Sequence, residues 1–489
     1  MRLARAVLRW AAEGPATPVF ASQPRPARLK RLAPFAAILC AALATHLPAQ
    51  DFSHPDTEPA PQTALIQQAN DALSAGDLPA ALKILTSLNS QTPNNPQILY
   101  DLGLTLEALE PAGPQPATGN LQPATPESCY RAAIAADPSF PAAHVALGLL
   151  LARTNHASPS QIAEARTELT AATTLPTAEP ALQARAFRAL ARLDLNDSPP
   201  NPVAASAHLL AALKLTPEQP ADILLSAQIA VAAADLPSAE QAYRRYLATT
   251  PNSDDPAVTS ALAHVLLAEH HSAAAEALLT PALAQHPGDP SFTAQLAQAW
   301  LDSGDPARII QAAPLLQQLH ATHPEDASIA RLLARIYVET GHPDQADPLY
   351  AALIDAQATH PDPTLLDDRA EALLRLHRPA EAEKLLKQAV VDPAAFPTPA
   401  AFADAATHLA FAAAEIDDPR ITLQALTLRA TVQPPSPSSL FLEATANDAL
   451  HQSNKAVELY RQFLAAASGS LPDQESQARQ RLAALESRK

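Results

Sequence analysis

An apolar pattern of helical spacing recurs along this chain at a nearly constant interval, and this period constrains the fold more than any other feature. Each copy begins at Ala, has Leu or Tyr four residues later and a small or apolar residue three residues after that. The copies begin at Ala81, Ala165, Ala205, Ala239, Ala275, Ala312, Ala346, Ala382 and Ala456. From Ala205 to Ala382 the successive intervals are 34, 36, 37, 34 and 36 residues. Such a period predicts an array of similar structural units.

Each copy has the spacing of one helix face, because residues i, i+4 and i+7 lie on the same side of an α-helix. In four copies Pro lies twelve residues after the Ala, at Pro93, Pro217, Pro251 and Pro287, where it would end the helix. A second amphipathic segment precedes each copy and contains small residues such as Gly103 and Gly148. Turn glycines at Gly76, Gly304 and Gly341 separate the two segments. The repeating unit is therefore predicted to be a helix hairpin that must stack on its neighbours to bury its apolar face.

The composition supports an all-α fold built from such hairpins. Hydrophobic residues make up 47% of the chain and charged residues 17%, which is enough apolar material for a packed core. Most of the apolar residues are Ala and Leu, two strong helix formers.

The repeats resemble the tetratricopeptide repeat, whose pattern is W-x2-L-G-x2-Y, then A-x3-F, then P. The resemblance implies a right-handed superhelical solenoid of antiparallel helix hairpins, with about eleven repeats over residues 63–470 and a capping helix in 471–489. A loop near 110–124 interrupts the second repeat, and the repeat from Phe402 to Pro435 matches least well. Leu mostly replaces the aromatic residues of the family, and Trp300 is the only Trp at a repeat position.

The N-terminus reads as an export signal. Basic residues from Arg25 to Arg31 precede an apolar run over 32–43 and the sequence Ala42-Leu43-Ala44. This order is typical of a secretory signal, with a second possible cleavage site after Ala49. Residues 1–49 are thus predicted to be a signal peptide, or alternatively a membrane anchor, followed by a linker over 50–62. The expected location is the periplasm or the outside of the cell.

The sequence contains none of the motifs G-x-G-x-x-G, G-x4-G-K-[ST], H-E-x-x-H and G-x-S-x-G, and no cofactor or metal site is predicted. His270-His271 and the pair His320 and His323 are interpreted as surface or helix-capping residues. The acidic pairs 254–255, 367–368 and 417–418 are interpreted as charges of loops or helix N-termini. Cys129, with apolar neighbours at helical spacing, is predicted to be a buried small hydrophobic residue.

The resemblance implies a protein-binding scaffold rather than an enzyme, and a net charge of −17 disfavours nucleic acid as the partner. The first helices offer five candidate contacts for a partner peptide, which are Tyr100, Gln228, Gln298, Arg331 and Arg335. The family's Lys/Asn/Arg clamp for a peptide carboxylate is not expected, because only Asn70 matches it. Two alternatives stay open: an enzyme or enzyme subunit with a site in the groove, and a membrane-tethered structural component of an envelope assembly.

Overall fold

The structure, a computed structural model, describes residues 61–109, 125–153, 158–249, 255–357 and 360–487. All regular elements of these residues are helical, as the sequence predicts. The α-helices are α1 Pro61–Ser74, α2 Leu78–Gln91, α3 Pro96–Leu109, α4 Pro126–Ala136, α5 Pro141–Arg153, α6 Pro159–Thr174, α7 Pro180–Leu195, α8 Pro202–Leu215, α9 Pro220–Ala232, α10 Leu236–Thr249, α11 Pro256–Ala268, α12 Ser272–Gln285, α13 Pro290–Ser303, α14 Pro306–Thr322, α15 Ala327–Glu339, α16 Pro343–Ala356, α17 Pro363–Arg375, α18 Pro379–Ala389, α19 Pro399–Glu415, α20 Pro419–Ala430, α21 Pro437–Ala449, α22 Ser453–Ala467 and α23 Pro472–Glu486.

The helices pack as consecutive hairpins, α1 with α2, α3 with α4, and so on to α21 with α22. We call the odd-numbered helices α1 to α21 the first helices and the even-numbered helices the second helices. The described residues thus form eleven hairpins followed by the single helix α23, and the sequence suggested about eleven repeats with a helix after them.

The chain divides into two compact parts, with the boundary between residues 254 and 255. The N-terminal part is described over 61–249, apart from the gaps given above, and the C-terminal part over 255–487.

The repeated Ala residues lie at the centre of the hairpins. All nine, from Ala81 to Ala456, have no exposed surface. A side chain no larger than a methyl group lets the two helices of a hairpin approach closely, and the Leu or Tyr four residues later fills the space beside it. The third position is less strict, since Tyr246 and Ala282 are only half-buried.

Two glycines of the first helices allow equally close packing. A Cβ added at Gly148 would lie 2.6 Å from Leu169 Cγ and 3.1 Å from the carbonyl oxygen of Ala165. A Cβ added at Gly103 would lie within a similarly short distance of the Tyr130 ring. The prediction that small residues let the two helices approach is therefore confirmed at both positions.

Proline begins helices more often than it follows them. Pro93, Pro217 and Pro287 lie two residues beyond the ends of α2, α8 and α12, whereas Pro251 lies outside the described residues. In addition, 18 of the 23 α-helices of the described residues start at Pro, whose fixed φ suits the first turn and whose missing N–H has no partner there. This is how a chain with 49 Pro residues can be mostly helical.

In most of the described hairpins the turn contains one residue in the left-handed conformation. Gly304 supplies it between α13 and α14 with φ +67°. In other hairpins a residue with a side chain occupies this place, including Ala234 at φ +57° and His377 at φ +58°. The left-handed conformation costs such residues about 1 kcal/mol, because Cβ crowds the backbone.

The repeat that matches the family least in sequence is packed as fully as the others. Its helices α19 and α20 form a regular hairpin, and Phe402, Ala405 and Ala406 are completely buried in an apolar cluster of the C-terminal part. Helix α23 packs on α22 and buries Ala478 and Leu485.

The predicted signal or anchor over 1–49 and the loop near 110–124 lie outside the described residues. Among the described helices, none combines the length and the apolar content needed to cross a bilayer.

Candidate functional site

Within each part, several first helices of successive hairpins contact one another. Such contacts join α5, α7 and α9 in the N-terminal part, and α11, α13 and α15 as well as α17, α19 and α21 in the C-terminal part. Successive second helices in the described residues make no contact of comparable extent. The hairpins therefore converge on the side of the first helices, and we call this side of each part its inner face.

Arg331 on α15 is held by the next hairpin of the C-terminal part. Its Nε donates to Asp368 Oδ2 at 2.8 Å, Nη1 to Asp362 Oδ2 at 3.0 Å and Nη2 to Thr364 Oγ1 at 2.8 Å. Burial lowers the pKa of Arg331, but the carboxylates of Asp368 and Asp362 outweigh it and raise the pKa. Arg331, a predicted partner contact, is thus fully used in joining α15 to α17.

Arg335 and Gln298 differ from Arg331 because some of their hydrogen-bonding groups on the inner face have no partner among the described residues. Gln298 donates one hydrogen bond, from Nε2 to Asp302 Oδ1 at 2.6 Å, and is half-buried. Arg335 is half-buried and forms no ion pair or hydrogen bond within the described residues, although its charge opposes the rise that burial causes in the pKa values of Asp302 and Asp368. Its guanidinium thus lies within electrostatic range of Asp302, Asp368 and Glu371 and keeps its hydrogen-bond donors available.

The acidic pair Asp367-Asp368 is not at a helix N-terminus, so the sequence interpretation of this pair is wrong. Both residues lie in the middle of α17, where Asp367 pairs with His408 Nδ1 at 2.7 Å and Asp368 with Arg331. Burial alone would lower the pKa of His408, but Asp367, together with Glu371 and Asp404, raises it to about 9. His408 is therefore a charged member of the inner face at neutral pH.

The described residues of the other two acidic pairs lie in loops or at helix N-termini, as the sequence predicted. Asp255 and Asp418 are N-cap residues, and their carboxylates accept hydrogen bonds from the first turns of α11 and α20.

In the N-terminal part, Tyr100 lies among other aromatic rings on α3. Its ring meets Phe140 edge-on at 5.5 Å and is 6.0 Å from the ring of Tyr130, while burial raises its pKa to about 12. Gln228 on α9 is half-buried and has no hydrogen-bond partner among the described residues. Tyr100 therefore contributes mostly to packing, whereas the amide of Gln228 is available.

A row of three arginines on α7 was missed in the choice of candidate residues. Arg185, Arg188 and Arg192 are spaced i, i+3 and i+7, which places them on one helix face. Arg188 is buried and donates to Asp222 on α9 through Nε at 2.6 Å and Nη2 at 2.7 Å. Arg185 and Arg192, on either side of it, are exposed. The spacing in the sequence would have been sufficient to find this row.

The histidines outside this face include both groups considered as metal ligands. His270 has φ +60° in the turn between α11 and α12, and His271 is the N-cap residue of α12. His323 ends α14, with its Nδ1 2.9 Å from Thr322 Oγ1 and 3.4 Å from the carbonyl oxygen of Leu319. His320 lies in the last turn of the same helix. His271 and His323 thus occupy helix-cap positions, whereas His270 lies in a turn and His320 within a helix.

Cys129 is 5% exposed, and burial raises the pKa of its thiol. The prediction that Cys129 is a buried small hydrophobic residue is confirmed.

Two family models described as tetratricopeptide repeat match residues 260–310 and 307–367 of the sequence. Together they run from α11 into α17, the region in which the regular intervals occur. None of the curated protein sequences matches the chain significantly.

Solved structures similar to the chain include a tetratricopeptide repeat protein from Parabacteroides merdae, with 12% identity, 53% of this chain and 98% of that chain covered, and a TM-score of 0.39. PilF of Pseudomonas aeruginosa has 17% identity, with coverage of 46% and 97% and a TM-score of 0.38. Yeast Tom70 has 15% identity, with coverage of 83% and 91% and a TM-score of 0.35. Because every one of these TM-scores is below 0.5, the similarity of the repeats to tetratricopeptide repeats depends on the family models and on the hairpins themselves.

Proposed function

We propose that this chain, a tetratricopeptide repeat protein, is a non-catalytic scaffold that binds a partner protein on the inner face of its first helices. Tetratricopeptide repeat proteins typically bind protein partners, and the repeats of this chain supply the surface for it. The observation that carries the proposal is the presence of polar side chains on the inner face, such as Gln228 and Arg335, that have no partner within the described residues. The hydrogen-bonding capacity of these groups is not used within the described residues, so it is open to a ligand.

Site-specific photo-cross-linking tests this proposal. A photoreactive amino acid would replace Gln228 or Arg335 on the inner face, and in matched controls it would replace Lys214 or Lys384, exposed residues of the second helices α8 and α18. We expect one defined protein adduct from the inner positions and none from the controls, because only the inner face converges on a bound segment. Equal adduct formation from both faces would contradict an inner-face scaffold.

The proposed setting is outside the cytoplasm, with the partner in the periplasm or beyond. The basic residues 25–31 and the apolar run 32–43 support this location. The mass of the purified protein's N-terminus tests it: a start near Thr45 or Gln50 indicates a cleaved signal, and retention of residues 32–49 in the membrane fraction indicates a tether. An intact N-terminus on a cytoplasmic protein would rule out both.

A further inference from the structure

Two arginines of the N-terminal part differ from the other arginines around them. Six arginines of the described residues 61–249 form ion pairs, namely Arg131, Arg153, Arg166, Arg188, Arg244 and Arg245. Arg185 and Arg192 are exposed and form no ion pair or side-chain hydrogen bond with any described residue. In a chain with 50 acidic and 33 basic residues, two arginines on one helix face without carboxylate partners are unexpected.

Both side chains belong to the inner face. Arg188, between them on the same face of α7, reaches Asp222 on the next first helix, α9. In the other direction, Arg185 is close enough to Tyr100 on α3 for its charge to oppose the rise that burial causes in the pKa of that phenol. The face of α7 that carries the three arginines therefore lies on the side of the first helices, with α3 in one direction and α9 in the other.

The surroundings of Arg192 favour binding of an anion. Although the Arg192 side chain reaches solvent, partial burial lowers the pKa of its guanidinium. The charge of Arg188 lowers this pKa further, and the charge of Asp222 opposes the decrease. Asp222 cannot neutralise Arg192 fully, because both of its oxygens already accept hydrogen bonds from Arg188. A further carboxylate at Arg192 would therefore be stabilised by a charge that lacks a close counterion.

We propose that Arg185 and Arg192 form the recognition site for an acidic segment of the partner protein, bound in extended conformation along the inner face of α7. This inference depends on the proposed scaffold function and specifies the chemistry of its ligand. Seven residues of helix separate the two arginines by about 10 Å along the axis. In a peptide of extended polyproline II conformation, which has three residues per turn and a rise of about 3.1 Å per residue, carboxylates three residues apart lie on one side and are separated by about 9 Å.

The fork of a guanidinium fits a carboxylate with two parallel hydrogen bonds, which favours Asp and Glu side chains as the groups recognised. Nucleic acid fits less well, because the net charge of −17 repels a polyanion over the rest of the surface. A short acidic segment of a protein is repelled by the negative surface only over its own length, which is less than that of a polyanion.

Binding of a defined peptide to the full chain tests the inference. The probe is a fluorescently labelled peptide of four Glu-Ser-Gly triplets, which places a carboxylate at every third residue, and the neutral comparison has Gln in place of Glu. The variant carries Arg185→Gln and Arg192→Gln. The matched control carries Lys83→Gln and Lys214→Gln, which removes the same charge from exposed positions on the second helices α2 and α8.

Fluorescence anisotropy should show that the Glu peptide binds and the Gln peptide does not. The arginine variant should weaken binding about tenfold, because two charge-assisted contacts are lost. The lysine control should change affinity by less than about twofold, since those residues contribute only to the overall field. Unchanged circular dichroism of both variants would confirm that each is folded.

Equal loss in the two double variants would overturn the inference, since it would show a response to net charge alone. Tighter binding of an oligothymidylate of equal charge would also overturn it and would indicate a nucleic-acid site. Failure of the Glu peptide to bind, together with specific cross-linking at Gln228, would reject the acidic ligand while leaving the scaffold intact. Failure of both experiments would reject the scaffold as well.

Discussion

Replacing Gly148 by Ala tests whether close approach of the two helices holds a hairpin together. The new Cβ would lie 2.6 Å from Leu169 Cγ and 3.1 Å from the carbonyl oxygen of Ala165, about 1 Å inside a normal carbon contact in the first case. Leu169 has no exposed surface and cannot turn aside, and the carbonyl belongs to the backbone of α6. Helix α6 must therefore move away from α5.

The magnitude follows from two opposing effects. Overpacking of this kind costs about 1 to 3 kcal/mol, whereas exchanging Gly for Ala inside a helix gains up to about 1 kcal/mol. We expect Gly148→Ala to destabilise the hairpin by about 1 to 2 kcal/mol. Hydrogen exchange of the amides of α5 and α6 measures this loss locally, so that it can be separated from the unfolding of distant hairpins.

A double-mutant cycle with Leu169→Ala supplies the control. The single change at Leu169 should cost about 2 to 5 kcal/mol by leaving a cavity, and the methyl group introduced by Gly148→Ala should fill part of that cavity. The double variant should therefore be more stable than the sum of the two single effects by at least about 1 kcal/mol. A stabilising effect of Gly148→Ala, or strict additivity in the cycle, would refute the close-packing explanation.

Three further predictions concern charge and backbone. The folded pKa of His408 is about 9 against an ordinary value of 6.5, so its pair with Asp367 should stabilise the fold by about 3 kcal/mol below pH 6.5, and this stability should be lost as pH rises through 9. Urea titrations from pH 6 to 10 should show that His408→Gln abolishes most of this loss of stability, and an equally steep loss in the variant would exclude this pair as its cause. Ala234→Gly should stabilise the chain by about 1 kcal/mol, because Gly adopts φ +57° without steric cost; a lower melting temperature would contradict the strain argument. Arg188→Met should destabilise the N-terminal part by about 3 to 5 kcal/mol, because it leaves Asp222 buried and charged, and adding Asp222→Asn should restore part of the lost stability. Denaturant unfolding of both variants measures this, and no restored stability in the double variant would show that the arginine acts through packing alone.

The sequence predicted well those features that depend on local periodicity. The nine repeated Ala residues, the small residues at Gly103 and Gly148 and the burial of Cys129 are all found where the pattern placed them. The candidate contacts depend more on tertiary structure. Of the five candidates, Arg331 is fully paired across the hairpin boundary and Tyr100 serves mainly in packing, and the exposed Arg185 and Arg192 were not among them.

The difference has a physical reason. Burial at one face of a helix depends on residues three and four positions apart, and the period of the chain therefore determined by itself that it folds into stacked hairpins. Whether an arginine is free depends on the residue that faces it from the next hairpin, about one repeat away in the sequence. Only the tertiary structure showed that Asp222 faces Arg188 and that no described carboxylate pairs with Arg185 or Arg192.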